Sequence, residues 1–260
     1  MVSLPEAILL GIVQGLTEWL PVSSSGHLVI FQEAFGINVP LFFDIILHLG
    51  TVMVILIYFR QDILRLLRTL IRLDFQSDDG RLILYIILGN IPIAFAGIVF
   101  YDAVTSAFGS PQTVAVALLA TGLLLYISRF ADSNRRLGPV DSVVVGLAQA
   151  VALIPGISRS GFTIGAGLLR GVAREEIFRY SFLLAAPAVL GAALLDLRNI
   201  VFLEVDAAAV VVGFVVAMAV GFFSLRLLSR LVLTGRFHLF AYYCWAVGLI
   251  VLVVTMLPPL

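Results

Sequence analysis

Gln14 and Glu18 stand four residues apart, a spacing that puts both on one face of a helix. Pro21 then ends or turns that helix, and Ser23, Ser24 and Ser25 run into Gly26 and His27. A second polar cluster, PGISRSGFT, carries Ser158, Arg159, Ser160, Gly161 and Thr163. A helix starting at each turn aims free backbone N–H groups into a shared site, which favours an anion. The serine hydroxyls add donors, and the guanidinium of Arg159 offers a fork that suits phosphate. Glu18 would repel a phosphate. It is therefore expected to hold a divalent cation, Mg²⁺ or Ca²⁺, which prefer oxygen ligands, or to act as a base or orient one. His27 can take or give a proton near neutral pH.

The same residues have plainer readings. Glu18 and Arg159 can simply neutralise each other, and His27 can bond a neighbouring helix. Small residues, as at Gly161–Gly165 and Gly167–Gly171, let membrane helices approach closely. Asp44 and His48, again four apart, are candidates for the mouth of a site.

Such groups need elements to position them, and the composition says which. Of 260 residues, 61% are hydrophobic and 12% charged, about half the charged fraction of an ordinary soluble domain. Mean hydropathy is +1.12. Runs such as FFDIILHLGTVMVILIYF are apolar all round, which predicts membrane spans rather than a soluble bundle. All 16 basic residues are arginine and net charge is zero, so nucleic acid is not expected as a partner. The lone Cys244 lies in an apolar run and reads as a small buried hydrophobe. The start, MVSLPEAILL, lacks the basic opening of a signal peptide, so the spans themselves are expected to drive insertion.

Six segments are long enough to cross, at about 41–60, 82–101, 112–130, 175–196, 207–228 and 238–258. Arginines crowd the connection after the first (Arg60 to Arg81), after the third (Arg129, Arg135, Arg136), before the fourth (Arg170, Arg174) and between the last two (Arg230, Arg236). The connection with Asp102 has none, and the one with Arg198 also carries Glu204 and Asp206. The positive-inside rule then puts the arginine-rich connections in the cytoplasm and the C-terminus outside. Two apolar regions remain, at about 4–36 and 142–170, each broken by proline, serine and glycine. Their flanks predict re-entrant hairpins, because irregular backbone at membrane depth is tolerated only where protein buries it or it lines a wet cavity.

The chain also repeats. At one offset of 135 residues, Gly11 meets Gly146, Gln14 meets Gln149, Ser23 meets Ser158, Ser25 meets Ser160 and Gly26 meets Gly161. Each copy, about 4–135 and 139–260, holds one hairpin and three spans, within a single membrane domain covering 1–260. Three crossings are odd, so the second copy is expected upside down, with the two breaks meeting near the midplane. The predicted fold is an all-α polytopic membrane protein, an inverted-topology repeat of six spans plus two re-entrant helix hairpins.

These residues carry a family resemblance. QGLTEWLPVSSSGH resembles the first motif of the bacterial undecaprenyl-diphosphate phosphatases, the family linked to bacitracin resistance. That motif is Glu or Gln, three residues, Glu, then proline and a serine-rich turn ending in Gly-His. PGISRSGFT resembles the second motif, Pro-Gly-x-Ser-Arg-Ser-x-x-Thr, and with FFDIILHLGT the likeness spans nearly the whole chain. It implies hydrolysis of undecaprenyl diphosphate to undecaprenyl phosphate and inorganic phosphate, recycling the lipid carrier for wall polymers. It also implies dependence on a divalent cation, residence in the bacterial inner membrane and a site facing outward. By position, Gln14 and Glu18 match the acidic motif, Ser24, Gly26 and His27 the turn, and Ser158, Arg159, Ser160 and Thr163 the second motif. Gln14 is an amide where many relatives have Glu, so it cannot serve as a base.

The expected mechanism has Ser24 attacking the terminal phosphorus, His27 removing its proton, and Glu18 positioning the cation or His27. Arg159 and the backbone amides would hold the phosphates, with Gln14, Ser23, Ser25, Gly26, Ser158, Ser160, Gly161 and Thr163 around them. Attack by water, with Glu18 or His27 as base, stands beside it. The polyprenyl tail would lie among lipid and helices, and a homodimer is compatible with this reading. The alternative is a transporter or flippase of a lipid phosphate or small anion using the same site.

Overall fold

The computed structural model describes residues 2–107, 110–196 and 206–256. Arg198 and Glu204 lie outside the described residues. Twelve α-helices make up the described fold: α1 Leu4–Trp19, α2 Ser24–Phe35, α3 Leu41–Tyr58, α4 Arg60–Arg72, α5 Asp78–Val99, α6 Tyr101–Ala107, α7 Pro111–Ile127, α8 Pro139–Val151, α9 Arg159–Leu169, α10 Arg174–Asp196, α11 Ala207–Leu233 and α12 Phe240–Met256. Six of these, with short 3₁₀ extensions on α7 and α12, are long and apolar enough to cross a membrane, and they match the six expected segments. Their ends differ by a few residues for local reasons. α5 starts at Asp78 because Ser77 caps it, its Oγ accepting from Gly80 N at 3.2 Å.

The arginine-rich stretch after the first span was expected as a connection and is instead the helix α4. Leu64, Leu67 and Ile71 share one exposed face, and the polar face turns to neighbouring acids. Arg179 of α10 forms ion pairs with Asp62 at 2.8 Å and Asp79 at 3.4 Å, while Arg65 reaches Asp79 at 3.7 Å. Loop and helix both allow arginine at such density, and the apolar period of three and four decides for helix.

The two broken regions fold as helix pairs, α1 with α2 and α8 with α9. Each first arm packs on a helix of the other half of the chain, α1 on α11 and α8 on α5. The repeated glycines explain both crossings. A Cβ on Gly11 would come within 2.9 Å of Gly213 O, and one on Gly146 within 2.3 Å of Gly89 O. The repeated serines are caps. Ser23 and Ser158 each precede the returning helix, and their Oγ atoms accept from Gly26 N and Gly161 N at 3.3 and 3.2 Å. An aromatic core backs the pairs: Trp19, 1% exposed, meets Phe182 edge-on at 5.5 Å, and Phe178 and Phe59 extend the stack.

Two glycine substitutions test this reading of the crossings. Gly146→Val is expected to lower stability by about 1–3 kcal/mol through overpacking. Gly191→Ala, where an added Cβ meets nothing within 4 Å, is expected to leave it unchanged or slightly raised. Thermal unfolding in detergent measures both.

Candidate active site

The two turns meet. Gly156 N donates to Ser23 Oγ at 3.1 Å across 133 residues of sequence. Thr121 of α7 clasps the second turn, donating to Gly156 O at 3.3 Å and accepting from Ser158 N at 3.2 Å. Gly156 has φ +95° and lies so close to α7 that a Cβ would sit 2.5 Å from Val114 O. Ser23 is a serine with φ +68°, a conformation that costs about 1–3 kcal/mol and clusters at functional sites.

Glu18, 6% exposed, is the hub between the turns. Arg159 pairs with its Oε1. Ser24 Oγ donates to its Oε2 at 2.6 Å and Gln14 Nε2 to the same oxygen at 3.0 Å. His48 Nε2 lies 3.7 Å away, its Nδ1 held by Asp44 O at 2.8 Å. Thr51 accepts from Gln14 at 3.4 Å, and Arg159 also lies over the Trp19 ring at 6.0 Å. The plain reading of Glu18 and Arg159 as a pair is thus realised, in a place where Glu18 also holds a hydroxyl.

Beside this hub is a cavity of about 300 Å³ lined by Glu18, Ser23, Ser24, Ser25, Ser158 and Arg159, with His48 and Gln149 on its wall. A larger cavity of about 830 Å³ adjoins it, sharing Ser25, His48 and Tyr101, and Asp44 lines that one. The other expected residues stand behind the lining. Gln14 and Thr163 are fully buried, and Thr163 bonds Arg159 O at 2.8 Å and Ser181 Oγ at 2.5 Å. Ser160 bonds Ser158 at 3.3 Å. Gly26 and Gly161 let the turns close, since a Cβ on each would press on Gly156 Cα at 3.2 Å and on Pro21 Cβ at 3.3 Å.

His27 departs from expectation. It lines neither cavity, and it turns from Ser24 toward α12. Nδ1 meets Ser23 O at 2.8 Å and Nε2 meets the hydroxyl of Tyr243 at 2.8 Å. A carbonyl only accepts, so Nδ1 carries the proton and Nε2 accepts from the phenol. Neither nitrogen is left to take a proton from Ser24, whose hydroxyl goes to Glu18.

The donor set also departs from a protein-held cation. Among the described residues, no group of three or more His, Cys, Asp or Glu is placed to bind a metal. Glu18 is a single carboxylate whose oxygens are engaged by Arg159, Ser24 and Gln14, so the protein alone supplies too few ligands for Mg²⁺ or Ca²⁺, which would need substrate oxygens and water beside it. Sequence reasoning missed Gln149, although it repeats Gln14. It is buried, donates to Asn90 at 3.4 Å and keeps Oε1 without a protein partner among the described residues. Thr121 and Tyr243 carried no signal, since their partners are distant in the chain.

Fold and site together define a multi-pass helical membrane protein with a buried pocket of hydroxyls, one arginine and one carboxylate, chemistry suited to a phosphate group. The chain belongs to the bacitracin resistance protein BacA family, whose sequence model matches residues 7–250. It is 41% identical over 256 residues to undecaprenyl-diphosphatase of Halothermothrix orenii, covering 95% of this chain and 96% of that protein. The corresponding protein of Carboxydothermus hydrogenoformans is 42% identical over 259 residues, with 95% and 96% covered. That of Methanobrevibacter smithii is 40% identical over 264 residues, with 95% of each covered.

The hub makes a stability prediction. Arg159→Met strands the buried Glu18 charge and is expected to cost about 3–5 kcal/mol, whereas Glu18→Gln combined with Arg159→Met is expected to recover most of it without recovering activity. Unfolding midpoints of the purified variants check this. A double variant as unstable as the single one would contradict the pairing.

Proposed function

We propose that the chain hydrolyses undecaprenyl diphosphate to undecaprenyl phosphate and inorganic phosphate, which recycles the lipid carrier for cell-wall synthesis. The observation that carries the reading is the 2.6 Å bond from Ser24 to Glu18 beside Arg159. A hydroxyl, a base and a phosphate-binding cation stand on one small cavity, and the relatives' name supplies the substrate.

The terminal phosphate enters between the two turns and draws Arg159 from Glu18 to its own oxygens. Ser24 Oγ attacks the terminal phosphorus as Glu18 takes the hydroxyl proton. The bond from that phosphorus to the bridging oxygen breaks, and undecaprenyl phosphate leaves as an anion that needs no proton. Water then attacks the phosphoserine, the bond from phosphorus to Oγ breaks as Glu18 returns its proton to Oγ, and inorganic phosphate departs carrying the water's protons. Arg159, Ser158 and the N–H groups at the start of α9 bear the charge, which is most of the work in phosphoryl transfer. His27 has no proton to move in this scheme. A divalent cation, which the family resemblance implies, would have Glu18 as its one carboxylate here and would supply further charge neutralisation, and no step here runs through it.

The larger cavity, mostly apolar, suits the first isoprene units. The two helix pairs are proposed to be re-entrant hairpins of an inverted repeat, supported by the reciprocal packing of α1 on α11 and α8 on α5. The arginine distribution supports a site open to the outer side and a C-terminus outside.

Purified protein in detergent, given undecaprenyl diphosphate and Mg²⁺, is expected to release phosphate. Ser24→Ala is expected to cut the rate by at least about 100-fold with a smaller change in KM. Release by wild type at the same rate as by Ser24→Ala would rule out the serine route, and no release by wild type would rule out the activity.

A further inference from the structure

The unused group is His27, and with it the residues of α12 that reach the first turn. Tyr243 is 45% exposed, yet its hydroxyl meets His27 Nε2 at 2.8 Å, and the two rings stack at 5.7 Å with 14° between their planes. The next residue, Cys244, is fully buried and donates its thiol to Pro21 O at 3.4 Å. Two consecutive residues of α12 therefore hold the turn on either side of Val22. What they hold is unusual. Ser23 has φ +68°, and its carbonyl accepts twice from one residue, from His27 N at 3.2 Å and from His27 Nδ1 at 2.8 Å. The second bond exists only while the ring is in this tautomer and orientation. A phenol O–H donating to Nε2 fixes both, because a ring accepting at Nε2 must carry its proton on Nδ1.

From this we infer that Tyr243 is a positioning residue of the reaction proposed above, acting through His27 to hold Ser23 in its left-handed conformation so that Ser24 stays on Glu18. His27 is then a strut, and its imidazole never exchanges a proton with substrate. The two halves of the site lean on the strut to different degrees. Ser24 and Glu18 depend on the first turn, whereas Arg159 and Ser158 belong to the second turn, which Thr121 holds by two bonds beside the single one from Gly156 N to Ser23 Oγ. Loosening the strut should harm attack and spare binding.

The inference rests on the phosphatase reading, and its test is a double-mutant cycle in phosphate release from undecaprenyl diphosphate. Tyr243→Phe removes one hydroxyl. His27→Asn keeps a side-chain amide able to donate to Ser23 O but cannot reach Tyr243. Each is expected to lower kcat by about 10-fold with KM within about twofold, a split expected of an interaction that matters in the transition state. The double variant is expected to be no slower than the slower single one, because both remove the same link. Multiplying losses would overturn the inference. So would a fall of 1,000-fold in His27→Asn beside an unaffected Tyr243→Phe, the pattern of a lost general base. Should Tyr243→Phe fail to fold, Tyr243→His, which keeps a ring and a donor, is expected to retain kcat within about threefold, and a larger loss in a folded protein counts against the strut. A readout free of turnover separates this inference from the activity itself. In protein labelled with ¹⁵N-histidine, His27 is expected as the Nδ1-protonated tautomer, and Tyr243→Phe is expected to disturb that signal. Wild type that releases no phosphate sinks the phosphatase reading. A His27 signal indifferent to Tyr243 sinks the strut.

Discussion

The structure turns on one buried ion pair between the two halves of the chain. A lone carboxylate at 6% exposure among apolar helices is expensive, and desolvation would favour its neutral form. Arg159 offsets that cost only by direct contact, so the two turns must meet. Much else in the fold serves that contact. The repeated glycines let each first arm lie against the other half, and the serine caps start the returning helices where their N–H groups face the pocket. Thr121 and Gly156 then fix the second turn against the first within hydrogen-bond distance. Helices α3, α5, α10 and α11 pack around these contacts, α3 adding His48 and Thr51 to the hub and α10 setting Phe182 against Trp19.

Much of this could be read from residue types alone. Long apolar runs announce spans, because few other structures hide backbone amides at that composition. Two serines at one shared offset of 135 residues, each beside a polar turn, mark the places where the returning helices start. The phosphate chemistry of the pocket followed from hydroxyls and arginine. What stayed hidden depends on side-chain direction or on distant partners. Ser24 and His27 stand three residues apart on one helix, near enough for a hydroxyl and a base, and the motif cannot tell which way the ring turns. The ring turns to Ser23 O and to Tyr243, the latter 216 residues further on. His48 was visible as a candidate for the mouth, but its approach to Glu18 needed the register of α3 against α1. α4 was hidden for another reason. Its arginines dominate composition, while its helix is specified by the leucines between them and by Asp62 and Asp79.

The hub also explains how a base can sit in such a place without being spent. In the proposed reaction Glu18 has two oxygens with separate duties, one toward Arg159 and one toward Ser24. Before substrate arrives the arginine neutralises the carboxylate, and the hydroxyl is oriented without being activated. A diphosphate offers Arg159 more negative charge than a single carboxylate does. Once the guanidinium turns to phosphate, Glu18 loses its counter-charge and becomes the better proton acceptor at the moment Ser24 faces phosphorus. The same exchange disfavours idle attack, since without the headgroup the base remains paired. Substrate binding energy is thereby converted into activation of the nucleophile, which is where an enzyme gains rate rather than mere affinity.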